Sequence, residues 1–354
     1  MPTFCRHNRF IERCPICSKT LPSNAPSTAA RPRAKSSAAR SAATGADGRR
    51  RRVRAESVRV SREGRAEDDG YRSALLPGLR ASADAVRLAE EIAFSSGRLQ
   101  ALATAPPGMY GEVHALAGED IEHATWMCLL IAYLGPLEGD DPFAGVRLAL
   151  AGATVTHVST PTGEGEDRRE LPSLDGIPLG PRTSHDPARG TATLEAYWQW
   201  VQRAGATAQS PAVGASQALA ITGDPAWAPK RRFERIFERL ALPGFARAGR
   251  YDLLVTLGAL GLYELVPDSL HLAGVRGLSS EDPTTLAAKR LFGIGDPLLL
   301  ERRAAALAQA ISVPIETLDL ALANWAAPQR ASMGCPSDMH DDDAFSRAGD
   351  ALEL

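Results

Sequence analysis

Apolar residues recur at helical spacing along most of residues 84–327, and almost nowhere at the alternating spacing of a half-buried strand. Asp84–Leu102 predicts a helix whose faces are marked by Val86, Ala89, Glu90 and Ala93, and Pro106-Pro107 break the chain after it. Ile121–Leu134 is apolar on most sides and is therefore expected at the centre of the fold. Thr191–Ala204 predicts a third helix, carrying Tyr197, Trp198 and Trp200. Pro229 stands at the favoured first-turn position of another, and Phe233, Ile236, Phe237 and Leu240 keep one buried face behind it. Asp252–Leu262 predicts the next helix. Leu286–Phe292 and Leu298–Ile311 then flank Gly293-Ile294-Gly295, and Leu300, Ala304, Leu307 and Ile311 stack on one face. Ile315, Leu318, Leu322 and Trp325 form the last clear stripe. Strand-like alternation is confined to Thr154–Val158 and Ser269–Leu272. Residues 135–190 and 205–228 are punctuated by Gly and Pro and read as loops. The expected class is mainly α.

Composition adds boundaries to this pattern. Residues 1–20 form a compact Cys/His module. Residues 21–70 are rich in Arg, Ser, Pro and Ala without an apolar period and read as a disordered linker, including Arg49-Arg50-Arg51-Arg52. The helical body takes residues 71–327, with order expected from about Leu75. Residues 328–354 read as a mobile acidic tail with a short helix at Ala344–Leu352. The formal net charge of −2 conceals an asymmetry: residues 1–65 hold 16 Lys/Arg against four Asp/Glu, whereas the rest holds 24 against 38. A basic arm thus precedes an acidic body, and salt-sensitive attraction to polyanions is expected from the arm. Lys is scarce beside Arg, a bias of GC-rich bacterial genomes. No apolar run reaches the roughly 20 residues that span a bilayer. The N-terminus has Cys and Arg where a signal peptide needs an apolar block. A cytoplasmic protein, with nucleoid association through the arm, is the expectation.

Three of the five cysteines crowd into the first 17 positions, which is not the distribution of a disulfide set. Cys5, His7, Cys14 and Cys17 supply four ligands around a Cys-Pro-Ile-Cys knuckle, suited to tetrahedral structural zinc. So short a module has little core, and metal would supply its folding energy. A redox pair or free thiols are the other readings. The module is also a candidate contact for a protein partner or for nucleic acid.

Two further segments carry candidate chemistry. In GPRTSHDPARGT (180–191), Arg182 and Arg189 can grip phosphate, and His185 beside Asp186 can act as acid and base. An ordinary capping and turn network is the alternative. In Gly293-Ile294-Gly295, a glycine hairpin between two helices can aim backbone amides at a phosphate of a DNA backbone. The next acid of interest is Glu316, in Val313-Pro314-Ile315-Glu316, with Asp319 one turn on. Trp126, Tyr197, Trp198 and Trp200 are candidates for stacking on an extruded base, with core packing as the alternative.

The hairpin and the acid about twenty residues beyond it resemble the helix-hairpin-helix DNA glycosylase superfamily. There the hairpin precedes a Val-x-Val-Asp-like segment with a catalytic aspartate. Here the acid is Glu316, and Pro297 stands where lyase-type members carry a lysine nucleophile. Over roughly residues 70–327 the chain is similar to the alpha-glutamyl/putrescinyl thymine pyrophosphorylases, clade 3. The segments that carry this similarity are GPRTSHDPARGT, KRRFERIFERLALPG, YDLLVTLGALGLYEL and AAKRLFGIGDPLLLERRA. The resemblance implies a helical glycosylase-like body acting on DNA. It further implies that an amine displaces pyrophosphate from an activated hydroxymethyl-pyrimidine. In that chemistry Glu316, Asp319, His185 and Asp186 are the candidate acids and bases, and Arg182 and Arg189 would hold the leaving group. A glycosylase-like or non-catalytic DNA-binding protein in repair, and a zinc-knuckle interaction module, are the competing functions.

The knuckle is directly testable. Metal analysis of the purified chain is expected to give one zinc per chain, lost when Cys14 and Cys17 are both changed to Ser. A metal-free wild type would remove the reading.

Overall fold

Several helix starts are set by short acidic residues and Pro in the sequence. The computed structural model describes residues 66–152, 171–207, 216–272 and 282–354. Its described helices are α1 (Ser82–Thr104), α2 (Met109–Leu116), α3 (Ile121–Leu134), α4 (Ala144–Gly152), α5 (Ala192–Thr207), α6 (Gln217–Thr222) and α7 (Pro229–Arg239). They continue with α8 (Arg247–Ala259), α9 (Pro283–Phe292), α10 (Pro297–Ile311), α11 (Thr317–Ala326) and α12 (Asp342–Leu352). Asp120 caps α3 by accepting from the His123 amide at 2.9 Å. Asp282 and Asp296 cap α9 and α10 in the same way, each with Pro next to it at the first helical position. The side-chain oxygen answers an amide that the helix leaves unpaired, and Pro has no amide to leave.

The predicted apolar faces are buried: Phe233, Ile236, Phe237 and Leu240 on and after α7, Leu300, Ala304, Leu307 and Ile311 on α10, and Leu318, Leu322 and Trp325 on α11. α3 runs through the middle, buried from Ala124 to Leu134 and packed on α8, α2, α4 and α6. α1 lies against α11, α12 and α8, and α9 lies against α11. The body is mainly α, and no strand occurs among the described residues.

The structure differs from expectation in several places. Ser269–Leu272 is not a strand. The amides of Leu270 and Leu272 both donate to the Glu301 carboxylate, and His271 between them has a left-handed backbone (φ 53°) that no strand accommodates. α8 starts at Arg247, five residues before the predicted Asp252 start, because Arg247 and Arg250 are buried and not at a polar boundary. The loops of 135–190 and 205–228 contain α4 and α6, and α2 fills the space after Pro106-Pro107.

The stretch 328–354 is not a mobile tail. Ala344, Ala348 and Leu352 of α12 are fully buried, the Asp341 amide donates to Ala93 O at 3.1 Å, and the Tyr71 hydroxyl donates to Leu352 O at 2.7 Å. The helical body therefore extends past residue 327. The Cys5/His7/Cys14/Cys17 module, the linker up to residue 65 and Thr154–Val158 lie outside the described residues.

Gly293, φ +64°, ends α9 in the left-handed conformation and opens the expected hairpin into α10. Residues 77–78 close over this end: the Gly78 amide donates to Leu291 O at 2.8 Å. A Cβ on Gly78 would fall 1.9 Å from Arg290 O, so only glycine passes there. Gly78→Ala is expected to lower the unfolding free energy by about 1–3 kcal/mol or more in chemical denaturation. A loss below about 0.5 kcal/mol would show that this contact does not hold the hairpin.

Candidate active site

Five charged side chains meet where α8, α9, α11 and the 180–186 loop converge. Asp319, 2 % exposed, accepts from two arginines. Arg247 Nη2 donates to its Oδ1 at 2.6 Å, and Arg182 Nη2 donates to its Oδ2 at 2.8 Å. Arg182 Nε also donates to Asp252 Oδ2 at 3.1 Å. Arg247 has no free donor edge, since Nε donates to Asp282 Oδ2 at 3.1 Å and Nη1 to Leu270 O at 2.9 Å. Burial opposes the charge on both arginines, but the carboxylates overcome it and raise both above the usual guanidinium value. Burial likewise opposes ionisation of Asp282, and Arg247 with Thr285 outweighs it and holds the carboxyl below its usual value. In Asp252 burial wins against Arg182, and its carboxyl is raised.

This arrangement changes the roles expected of two residues. Arg182 is paired through Nε and Nη2 with Asp252 and Asp319. Asp319 is neutralised on both oxygens and is not a free base. The 180–191 loop also divides its residues. His185 Nδ1 is 3.0 Å from the Tyr133 hydroxyl, and its ring is 5.3 Å from the Tyr133 ring. Burial pulls the His185 imidazole below its usual value. Asp186 turns away, accepting from the Ala188 amide at 3.0 Å to cap the 3₁₀ turn Pro187–Arg189. The expected His185–Asp186 couple does not form. Arg189 is an exposed guanidinium 3.6 Å from Asp186, remote in role from Arg182.

The hairpin of Gly293, Ile294 and Gly295 forms, with both glycines exposed and Ile294 against the core. However, the amide of Leu299 at the start of α10 is already taken at 3.0 Å by Asp296 Oδ1. A carboxylate stands where an anion would be received, so this helix start is not an open phosphate cradle. The aromatic candidates serve the core: Trp126, Tyr197 and Trp200 are buried and Trp198 half-buried. Trp126 lies 5.4 Å from Trp198, and Tyr197 lies 5.5 Å from Trp200, centroid to centroid.

Glu316 differs from its acidic neighbours. It stands immediately before α11, partly buried, and its carboxylate makes no hydrogen bond or ion pair to another of the described residues. Burial without a cation raises its carboxyl above the usual Glu value. The adjacent Thr317 Oγ1 is buried and without a hydrogen-bond partner. Burial, then Asp319 and Glu316, push the Tyr251 phenol well up, which places Glu316 within electrostatic reach of Tyr251. Tyr251 in turn adjoins His271 (6.4 Å between rings) and Phe237 (6.3 Å).

The sequence pattern did not single out Arg247, Arg250, Tyr251, Asp252, His271 or Asp282 for a site. The available signal was RAGRYD, charged residues at i, i+3 and i+5 leading directly into an apolar helix. No group of three or more His, Cys, Asp or Glu residues able to hold a metal occurs among the described residues.

Residues 182–333 match the family model of the alpha-glutamyl/putrescinyl thymine pyrophosphorylases, clade 3. The match begins at Arg182 and takes in Asp252, Asp282, the hairpin, Glu316 and Asp319, and hence the whole charged cluster. α1–α4 lie outside it. No curated protein and no solved structure matches the chain.

Asp319→Ala would leave two buried guanidiniums short of a counter-charge. It is expected to cost about 3–5 kcal/mol of stability in urea or thermal unfolding. A cost below about 1 kcal/mol would show that Arg182 and Arg247 are satisfied without it.

Proposed function

We propose that this protein is an enzyme acting on hypermodified thymine in DNA, displacing pyrophosphate from an activated hydroxymethyl-pyrimidine by a primary amine. The family match supplies the reaction class, since its description names α-glutamyl and putrescinyl thymine. The single observation that carries the site is Glu316, the acid in this region left half-buried and without a partner beside carboxylates that are all neutralised.

In this reading the bond between the base's exocyclic methylene carbon and the pyrophosphate oxygen breaks. Its electron pair leaves with pyrophosphate. The amine nitrogen forms the new bond to the methylene carbon and sheds one proton, which the Glu316 carboxylate accepts. A carboxylate in a site of low polarity is a stronger base than one in water, as this proton transfer requires. The negative charge of Glu316 also favours the cationic character that develops on the methylene as pyrophosphate departs. The base would have to leave its stack to reach such a group. Pro297 in place of the lyase lysine, and a glutamate in place of the glycosylase aspartate, favour this over ordinary base excision.

Glu316→Gln is expected to lower turnover of a pyrophosphorylated hydroxymethyluracil duplex by about 10²–10⁴-fold. Because the Glu316 pKa is raised, activity in the wild type should fall as pH drops through a value above that of an ordinary glutamate, and the variant should lack that limb. The folded pKa exceeds the unfolded one, so ionised Glu316 costs stability at every pH above it. The variant's unfolding midpoint at neutral pH should therefore equal or exceed that of the wild type. Unchanged turnover in the variant would remove Glu316 from the chemistry.

A further inference from the structure

Arg250 is buried and makes no ion pair among the described residues; Arg98, also buried with its Nε unpartnered, makes none either, but Asp252 supports its charge. Arg250 is 8 % exposed, and its guanidinium lies 4.4 Å above the Phe237 ring. Nη1 donates to Phe237 O at 3.0 Å. The opposite edge is unpaired: Nε is buried and has no hydrogen-bond partner, and Nη2 makes no hydrogen bond or ion pair among the described residues. Arg247, three residues earlier, has each of its three nitrogens engaged, two of them by carboxylates. Arg232, equally buried, is closed by three carbonyls and Glu264. Arg250 therefore stands out by geometry. Its plane is fixed by an aromatic face and a carbonyl, and its Nε–Nη2 fork, the edge that receives an oxyanion through two parallel bonds, is unoccupied.

A second unsatisfied group lies beside it. His271 stacks on Phe237 at 4.2 Å, and its Nε2 is buried without a partner. Its backbone is held in the left-handed region, a conformation uncommon outside glycine. Burial, with Arg247 and Arg250 nearby, brings its imidazole down to about 4, so at neutral pH the ring is an uncharged hydrogen-bonding group. Burial also depresses Arg250 itself to about 10, with Arg247 adding to the effect and no acid opposing it. An anion at the fork would remove that penalty. Tyr251 packs against Phe237 and His271, and the charge of Glu316 is among those that raise its phenol.

We propose that the Nε–Nη2 fork of Arg250, with His271 beside it, is a binding site for a phosphate oxyanion. The inference rests on the proposed function for the choice of ligand: the departing pyrophosphate is the oxyanion that the reaction releases near Glu316. A DNA backbone phosphate has the same chemistry and is the other source. Arg250 takes the role that sequence reasoning gave to Arg182.

The test uses the full chain with inorganic pyrophosphate, and separately with an unmodified DNA duplex, in isothermal titration. The wild type is expected to bind pyrophosphate. Arg250→Gln should weaken it by at least about tenfold, and Arg250→Lys, which keeps the charge but not the fork, by several-fold. Glu316→Gln should bind pyrophosphate at least as tightly as the wild type. Should the Arg250 variants fail to fold, the Arg250 Nε–H resonance of arginine-labelled wild type should shift on pyrophosphate addition. Loss of duplex affinity alone in the Arg250 variants would keep the site and assign it to the DNA backbone. Unaltered affinity for both ligands, or an Nε–H resonance that neither ligand moves, would overturn the proposal. Pyrophosphate bound through Arg250 without turnover of the pyrophosphorylated duplex would overturn the reaction instead and leave this site standing.

Discussion

Asp319 held between Arg182 and Arg247 is the constraint on which the rest of the site depends. Each of its oxygens receives one guanidinium nitrogen, at 2.6 and 2.8 Å, and neither arginine reaches the solvent to find another acid. Through Arg182 it ties the 180–186 loop to α8 at Asp252. Through Arg247 it ties α8 to the Asp282 cap that starts α9. Thr284 adds a bond to the Asp319 carbonyl. Three segments far apart in sequence thus converge on the first turn of α11. Glu316, three residues before Asp319, inherits its position from that convergence. Such a cluster contributes little net stability when complete, because desolvation offsets the attraction, yet it tolerates the loss of no member. It specifies one arrangement of four segments more than it strengthens any of them.

The helical skeleton was legible where a helix announces an apolar run and an Asp or Pro start, as α3, α7, α9 and α10 do. The stripes of α7, α10 and α11, the bounds of α3 and the hairpin at Gly293 are all written in local sequence. What escaped was set by tertiary contacts. Arg247 and Arg250 look like a polar helix boundary in sequence, and only the buried carboxylates and Phe237 make them interior residues. Ser269–Leu272 alternates like a strand, but the carboxylate of Glu301, thirty residues on, claims its amides. The acidic composition of 328–354 hides three small or apolar positions, Ala344, Ala348 and Leu352, that are enough to seat α12 on α1. For the site, the sequence marked Glu316 through its spacing from the hairpin. It did not show that Arg182 pairs with Asp252 and Asp319, because an arginine in a loop shows neither its burial nor its partners.

The charged residues of the body then separate by a single physical criterion, whether the surrounding protein satisfies them. Asp252, Asp282 and Asp319 have arginine partners. Arg182, Arg232 and Arg247 have carboxylates or carbonyls on their donor edges. His185 has Tyr133, and Asp186 has a backbone amide. These groups have partners within the protein, although several carry the residue types of catalysis. Glu316, the Arg250 Nε and the His271 Nε2 are left without partners.

Unsatisfied buried polar groups are costly, so folds retain few of them. A carboxylate raised by burial and a guanidinium lowered by it are both poised to gain from a ligand: the first by taking a proton, the second by meeting an anion. A reaction that frees a proton from an amine and an oxyanion from carbon supplies both at once. The two charges are opposite in sign, and neither has the other for a partner. A ligand that brings a proton to the one and an anion to the other would complete the electrostatics that the protein leaves open.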